Sequence, residues 1–234
     1  MPFPIEKLLV LVPAYREERH VADLVREILD YAPNVLVVDD GSPDATAEAA
    51  RSAGATVLAH AKNRGKGAAL QSGFEYAAQN GFEFVLTMDG DGQHAPSDIP
   101  AFLAAWERTH AQVLVGNRMG DTAGMPWLRR RTNLFMSSLL SKVMGQYVPD
   151  TQCGFRLYQS SAFPEPPEPG SDRFAAESES LLRLSLRGVT ISSVTIQTIY
   201  GEEKSKINPI ADTIRFFRML RRFKKIRREA ERQL

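Results

Sequence analysis

The sequence predicts an α/β protein with a mostly parallel sheet flanked by helices, on three observations. Short apolar runs alternate with stretches of helical periodicity over the first 120 residues, glycine and proline punctuate the junctions, and the composition is ordinary for a globular chain: 43% hydrophobic, 24% charged, 9% aromatic. Alternation of this density builds βαβ units, and their strands run parallel. At 234 residues the chain is long enough to bury a substantial core. Its composition excludes disordered, collagenous and disulfide-scaffolded classes.

The elements follow in order. Leu8–Val12 reads as a strand, Val21, Leu24, Val25, Ile28 and Leu29 repeat at helical spacing, and Val35–Val38 is a second strand. Asp44 stands as the N-cap of a small helix through Ala53 that Gly54 closes, with Thr56–Ala59 as the next strand. A turn at Gly65 and Gly67 leads into a helix carrying Leu70, Gly73, Phe74 and Ala77, closed by Gly81 before the strand Phe82–Met88. Pro96 opens a helix with Ile99, Phe102, Leu103 and Trp106 on one face, and Val113–Val115 follows as a strand. Beyond Gly120 the sequence predicts a helix near Trp127–Met144, a strand Cys153–Tyr158, a proline-rich loop from Phe163 to Gly170, a helix near Ala175–Arg187 and a strand Thr190–Tyr200. A long basic helix from about Pro209 completes the chain. The break near residue 120 divides regions of one domain, and no internal repeat is visible.

Leu8–Val12 is too short for a signal-peptide core, and no uncharged apolar stretch approaches the ~20 residues of a spanning helix, so neither export by this route nor membrane spanning is expected. Cys153 is the single cysteine, which excludes an intrachain disulfide and fits a reducing, cytoplasmic setting. The net charge of +1 is unevenly held: residues 1–200 carry 18 Lys and Arg against 23 Asp and Glu, and residues 201–234 carry 11 against 5. In the last helix Ile210, Ile214, Phe217, Leu220, Phe223 and Ile226 recur every three or four positions among nine basic residues. That pattern suits either a core-docked helix with a solvated basic back or a helix lying on anionic lipid. No stacking-aromatic motif accompanies the charge, so a nucleic-acid partner is not expected.

Open α/β sheets bind ligands beyond the carboxyl ends of their strands. There Val38 leads into Asp39-Asp40-Gly41-Ser42, whose carboxylates either accept hydrogen bonds from a nucleotide or simply form a turn. The strand Phe82–Met88 ends in Asp89-Gly90-Asp91-Gly92-Gln93-His94, either a plain acidic turn or two hard oxygen donors at i, i+2 that suit Mg²⁺ or Mn²⁺ with a ligand's phosphates completing the shell. An EF-hand would need Gly and Glu where this loop has His94 and Pro100. Asn63-Arg64-Gly65-Lys66-Gly67 opens a helix with glycines, free N–H groups and positive charge, all suited to phosphate, but it is neither a P-loop nor a GxGxxG turn. His20, His60 and His110 lack metal-ligand spacing and read as surface or packing residues, and His94 is given no role.

In order and spacing these motifs resemble the family 2 glycosyltransferases of the GT-A fold. The likeness runs through VPAYREE (Val12–Glu18), VVDDGSPDAT (Val37–Thr46), NRGKGAAL (Asn63–Leu70) and MDGDGQH (Met88–His94). It continues through GNRM (Gly116–Met119), DTQCGFRLY (Asp150–Tyr158), AESESLLRLSLRG (Ala176–Gly188) and YGEEKSKINPIADTIRFFRML (Tyr200–Leu220). Within the family the sequence is most similar to the dolichyl-phosphate mannosyltransferase and polyprenyl-phosphate glycosyltransferase branch. The resemblance implies a GT-A catalytic domain over residues 1–208, with 1–120 as the nucleotide-sugar half and 121–208 as the acceptor half, followed by the basic amphipathic helix 209–234.

It further implies that Pro13, Tyr15, Glu17, Val38, Asp39, Asp40, Lys66, Gly90, Gln93 and Lys204 serve the donor, and that Asp89 and Asp91 hold Mg²⁺ or Mn²⁺. Asp91, Arg118 and Asp150 are the implied catalytic residues, with Asp150 as a base or acceptor-orienting carboxylate and Glu177 and Glu179 behind it or merely in a solvated first helical turn. Arg129, Arg130 and Arg131 fan over about 200° of a helix beside Leu134, Phe135, Leu139 and Leu140, as either a solvated face or a lipid-phosphate site; in the second case Arg129 and Arg131 are the expected contacts to an acceptor phosphate. The implied reaction is inverting transfer of a hexose from a GDP- or UDP-sugar to a polyprenyl phosphate at the cytoplasmic membrane face, with a hydroxyl acceptor as the alternative. Arg16 departs from the family, which usually has Asn there, and bacterial relatives often append membrane-spanning helices that this sequence lacks.

Overall fold

A computed structural model describes residues 2–120, 127–164, 175–197 and 216–225, without the side chains of 128, 129 and 175–177. Seven strands, β1 (Leu8–Ala14), β2 (Val35–Asp39), β3 (Thr56–Ala59), β4 (Phe84–Thr87), β5 (Val113–Asn117), β6 (Arg156–Gln159) and β7 (Ile191–Thr195), form one sheet in the order β3-β2-β1-β4-β6-β5-β7. The sheet is parallel except for β6, which runs antiparallel to both β4 and β5. Helices α1 (Val21–Leu29), α2 (Thr46–Ser52), α3 (Lys66–Gln79), α4 (Ile99–Thr109), α5 (Trp127–Met144) and α6 (Ala175–Leu186) connect the strands, and a further helix, α7, covers 216–225. Every residue of β2 and β4 is buried, as in a sheet covered on both faces, which is why both read as unbroken apolar runs.

Several boundaries differ from expectation: β1, β2 and β5 run one or two residues further, to Ala14, Asp39 and Asn117, and β7 is Ile191–Thr195. The fourth strand is shorter, Phe84–Thr87 in place of Phe82–Met88, and β6 begins at Arg156, not Cys153, because residues 153–155 are taken by contacts below the cleft described next. Ala45, not Asp44, stands at the N-cap of α2; the Asp44 carboxylate accepts the Thr46 N–H from one residue further back. The proline-rich stretch from residue 165 onward, the end of the expected strand at 198–200, and residues 209–215 and 226–234 lie outside the described residues.

Strand order places a topological switch between β1 and β4: the chain leaves β1 for β2 and β3 on one side and returns to β4 on the other. Because β6 is antiparallel, the loop before it lies at the same edge as the carboxyl ends of β4 and β5, which delivers residues 150–155 to that edge. The floor is tightly packed. A Cβ on Gly73 of α3 would lie 2.2 Å from a methyl of Leu11 in β1, so only glycine lets this helix settle on the strand. On α7 the buried side is Phe216, Met219, Leu220 and Phe223, part of the common core, while Phe217 of the expected apolar stripe is exposed.

Candidate active site

A cleft of about 290 Å³ opens beyond the carboxyl ends of β1, β2 and β4. Its walls come from the first motif (Pro13, Tyr15, Glu17), from Asp40, from the turn before α3 (Asn63, Gly65, Lys66) and from Asp89, Gly90 and Asp91. Eight of the residues expected from the sequence therefore converge: Pro13, Tyr15, Glu17, Asp40, Lys66, Asp89, Gly90 and Asp91. Val38 is buried inside β2 opposite Pro13, so its side chain faces the core, and Asp39 is turned to the Ser42 N–H. Gln93 stands just beyond, its N–H donating to Asp91 Oδ1. Lys204 lies outside the described residues, as does the side chain of Arg129; Arg131 is exposed on α5.

Asp40 behaves differently from a carboxylate open to a nucleotide. Its Oδ1 accepts the Arg64 N–H at 2.9 Å and meets His60 Nδ1 at 2.7 Å, and Oδ2 accepts the Gly65 N–H at 2.6 Å. The buried carboxylate thus caps α3 from a neighbouring strand, where the helix dipole favours negative charge. Two N–H groups that the glycine-rich turn was expected to offer to phosphate are accordingly spent on Asp40. His60, expected as a surface or packing residue, is a buried bridge whose Nε2 reaches Ser72 Oγ at 3.0 Å. Its position directly after β3 was the one available signal. Gly41 is forced: φ is +71°, and a Cβ there would lie 2.5 Å from the backbone of Lys62.

Asp89 is the focus of charge. Lys66 Nζ lies 2.6 Å from its Oδ1, a charge-assisted contact at the rim of the cleft. Burial alone raises the carboxyl, but the neighbouring positive charges, Lys66 above all, outweigh it and hold Asp89 at about 2. Gly154 closes in from the β6 loop: a Cβ on it would lie 2.9 Å and 3.0 Å from the two Asp89 oxygens and 3.1 Å from Lys66 Nζ. His94 lies beneath, buried, with Nδ1 3.4 Å from the Asp89 N–H and its ring against Phe155. Cys153 is beside it, and burial pushes its thiol up to about 12. These features suit a divalent ion: a carboxylate kept ionised by neighbouring positive charge at the cleft, with Asp91 two residues on and Gly154 leaving room beside it. Among the described residues no three carboxylate, imidazole or thiol groups converge, which suits an ion completed by phosphate and water.

Arg118, directly after β5, is buried and bound to Asp150 by a bidentate pair along one edge of its guanidinium: Nε to Oδ2 at 2.7 Å and Nη2 to Oδ1 at 3.0 Å. Asp150 also accepts backbone N–H groups from Arg118 and Gln152, and its side chain is 0% exposed. Two further groups shape this loop. Ser141 and Ser137 on α5 bind residues 148 and 151, and the buried Arg156 donates to the carbonyls of Cys153 and Thr151. Glu179 accepts Arg183 one turn on in α6, a helix-internal pair, and the Glu177 side chain lies outside the described residues.

Helix α5 buries Met136, Leu140, Val143 and Met144 in the core but mixes polar and apolar residues on both faces. Its polar Asn133, Ser137 and Ser141 face inward, whereas Trp127 (69%), Leu134 (40%) and Phe135 (55%) are exposed beside Arg130 and Arg131. Leu140, expected on the lipid side, is fully buried. Among the described residues no helix is long and apolar enough to cross a membrane.

Comparison with known proteins places these features in context. The model of the family described as glycosyl transferase family 2 matches residues 9–165. A UDP-N-acetylglucosamine–dolichyl-phosphate N-acetylglucosaminyltransferase of Methanococcus voltae is 29% identical over 220 residues, covering 84% of this chain and 88% of that protein. An undecaprenyl-phosphate mannosyltransferase of Micrococcus luteus is 31% identical over 165 residues, covering 66% and 67%. Among solved structures, glucosyl-3-phosphoglycerate synthase from Mycobacterium tuberculosis, with Mn²⁺, UDP and phosphoglyceric acid bound, superposes with a TM-score of 0.64 at 20% identity, covering 84% of this chain and 71% of that one.

Proposed function

The chain belongs to glycosyl transferase family 2 and has the GT-A fold, and on that premise we propose that it transfers a hexose, with inversion, from a GDP- or UDP-linked donor to a polyprenyl phosphate at the cytoplasmic membrane face. The cleft receives the nucleotide diphosphate between the first motif and Lys66, and Asp89 and Asp91 hold Mg²⁺ or Mn²⁺. Bound there, such an ion would supply positive charge to the departing diphosphate. Pro13, Tyr15 and Glu17 shape the donor wall. Arg118, fixed by Asp150, adds a preoriented positive charge to the field at Asp89. Lys204 would complete the donor side.

The observation that carries the choice of acceptor is the Asp150 carboxylate, both of whose oxygens are engaged in a buried ion pair. A hydroxyl acceptor needs a base, whereas a phosphate monoester with a second pKa of ~6 arrives largely as the dianion and needs none. The two relatives above that act on dolichyl or undecaprenyl phosphate support the same acceptor class. The exposed Trp127, Leu134 and Phe135 beside Arg130 and Arg131 give α5 the character of a membrane-contacting face, with Arg131 and Arg129 as the cations for the acceptor phosphate. The test is a panel of GDP- and UDP-sugars with Mn²⁺, assayed on polyprenyl phosphate and on the matching polyprenol in vesicles. Transfer to the phosphate and not to the alcohol is expected; transfer to the alcohol alone would overturn the assignment.

A further inference from the structure

Lys66 lies where a metal-binding carboxylate would meet its ion. Its ammonium is 2.6 Å from Asp89 Oδ1, and Gly154 leaves room for the pair by lacking a Cβ. A magnesium-sized ion bound to the same oxygen would sit at about 2.0–2.1 Å, so the two cations cannot share that side of the carboxylate. Lys66 and Arg118 both bring positive charge to Asp89 and differ in exposure. Arg118 is buried and fixed by a bidentate pair with Asp150. Lys66 is the first residue of α3, its side chain is 34% exposed, and it lines the cleft, so its long stem can carry a compact charge from Asp89 to an anion in the cleft.

We propose that Lys66 is an internal placeholder for the divalent ion: the two contend for Asp89 Oδ1, and a nucleotide's diphosphate, by offering the ammonium another anion, couples its own binding to that of the ion. The proposal rests on Asp89 and Asp91 as the metal site. Its consequence is reciprocal. If nucleotide frees Asp89 for the ion, the ion must strengthen nucleotide binding by the same factor. The ligand-free protein then binds metal weakly, and the donor and its ion load together.

The test measures Mn²⁺ binding to the full chain by electron paramagnetic resonance of free Mn²⁺, without nucleotide and then with UDP and with GDP, corrected for Mn²⁺–nucleotide complexes in solution. Lys66→Gln and Lys66→Met should each bind Mn²⁺ alone about fivefold tighter or more, the lower end of typical site–site coupling, and the tightening by nucleotide should shrink by the same factor. Arg64→Gln removes a positive charge from the same turn without touching Asp89 and should change Mn²⁺ binding little. Equal Mn²⁺ affinity in wild type and both Lys66 variants, or an equal gain in Arg64→Gln, would overturn the proposal while Asp89→Asn, by abolishing binding, still upholds the metal site. Absence of Mn²⁺ binding in wild type and in the Lys66 variants would overturn both.

Discussion

Asp150→Asn removes one negative charge and almost no volume from a place that water does not reach. The carboxylate, 0% exposed, accepts four N–H groups, three of them from Arg118. An amide keeps one acceptor and turns an NH₂ toward donors, so a guanidinium or backbone N–H faces another donor. The buried Arg118 is left without its counter-charge. Breaking one partner of such a pair costs about 3–5 kcal/mol. For a chain of this length each kcal/mol is worth roughly 2–4 °C, so thermal denaturation followed by circular dichroism should shift down by about 6–20 °C. Arg118→Met should cost a similar amount, and Arg118→Met with Asp150→Leu should recover part of it, since an apolar pair leaves no charge unpaired. Activity on polyprenyl phosphate should fall through both kcat and stability, with the shape of the pH profile kept. A general base behaves otherwise: its loss costs about 10²–10⁴ in kcat and flattens the pH dependence. An Asp150→Asn variant with unchanged melting temperature and collapsed kcat would refute this reasoning.

Four other outcomes are expected. Cys153, with its thiol pushed up to about 12 by burial, should not react with Ellman's reagent at pH 8 in the native protein and should react fully in guanidinium; fast native labelling would contradict the packing. Gly41→Ala places a Cβ 2.5 Å from Lys62 at a left-handed φ and should lose at least about 2 kcal/mol in urea denaturation, so a neutral result would show the turn to be adjustable. Asp89, held at about 2, contributes stability that is fully present above pH 4 and is lost only as the pH falls through 2; carbonyl NMR of the metal-free protein should show it ionised at pH 4, and Lys66→Gln should raise its midpoint. Trp127→Ser with Phe135→Ser should reduce sedimentation with anionic vesicles, as should charge reversal at Arg221, Arg222, Lys224 and Lys225, the latter effect fading with salt over a Debye length of ~8 Å; vesicle binding unchanged in both would refute a peripheral membrane role.

The parallel half of the sheet is legible because strands buried on both faces must be apolar throughout, and the carboxylates and glycines at their ends stand out against those runs. Pairing between those groups is not legible. Asp40 and His60 are twenty positions apart, and nothing local says that a carboxylate after β2 caps α3 and spends two N–H groups that looked free for phosphate. Arg16 is a partial exception. Its φ of +62° is the left-handed conformation that Asn tolerates better than Arg, which gives a physical reason for the usual Asn of the family, and here the guanidinium turns back over the Tyr15 ring at 5.3 Å.

The direction of β6 is the information that the sequence withholds most completely. Arg-Leu-Tyr-Gln has no feature that separates an antiparallel strand from a parallel one, yet its direction decides the chemistry of the edge. Run parallel, the strand would send residues 150–155 to the opposite end of the sheet, away from Asp89 and Arg118. Run antiparallel between β4 and β5, it brings Gly154 against Asp89 and Asp150 against Arg118 in one loop. That loop is held by Arg156 from the strand and by Ser137 and Ser141 from α5, which explains why this helix turns its polar residues inward. The inner face of α5 is shared between these serines, which hold the residues flanking Asp150, and the core residues Met136, Leu140, Val143 and Met144, while Trp127, Leu134 and Phe135 lie outside. The same helix that fixes the buried ion pair therefore carries the apolar face assigned to the lipid.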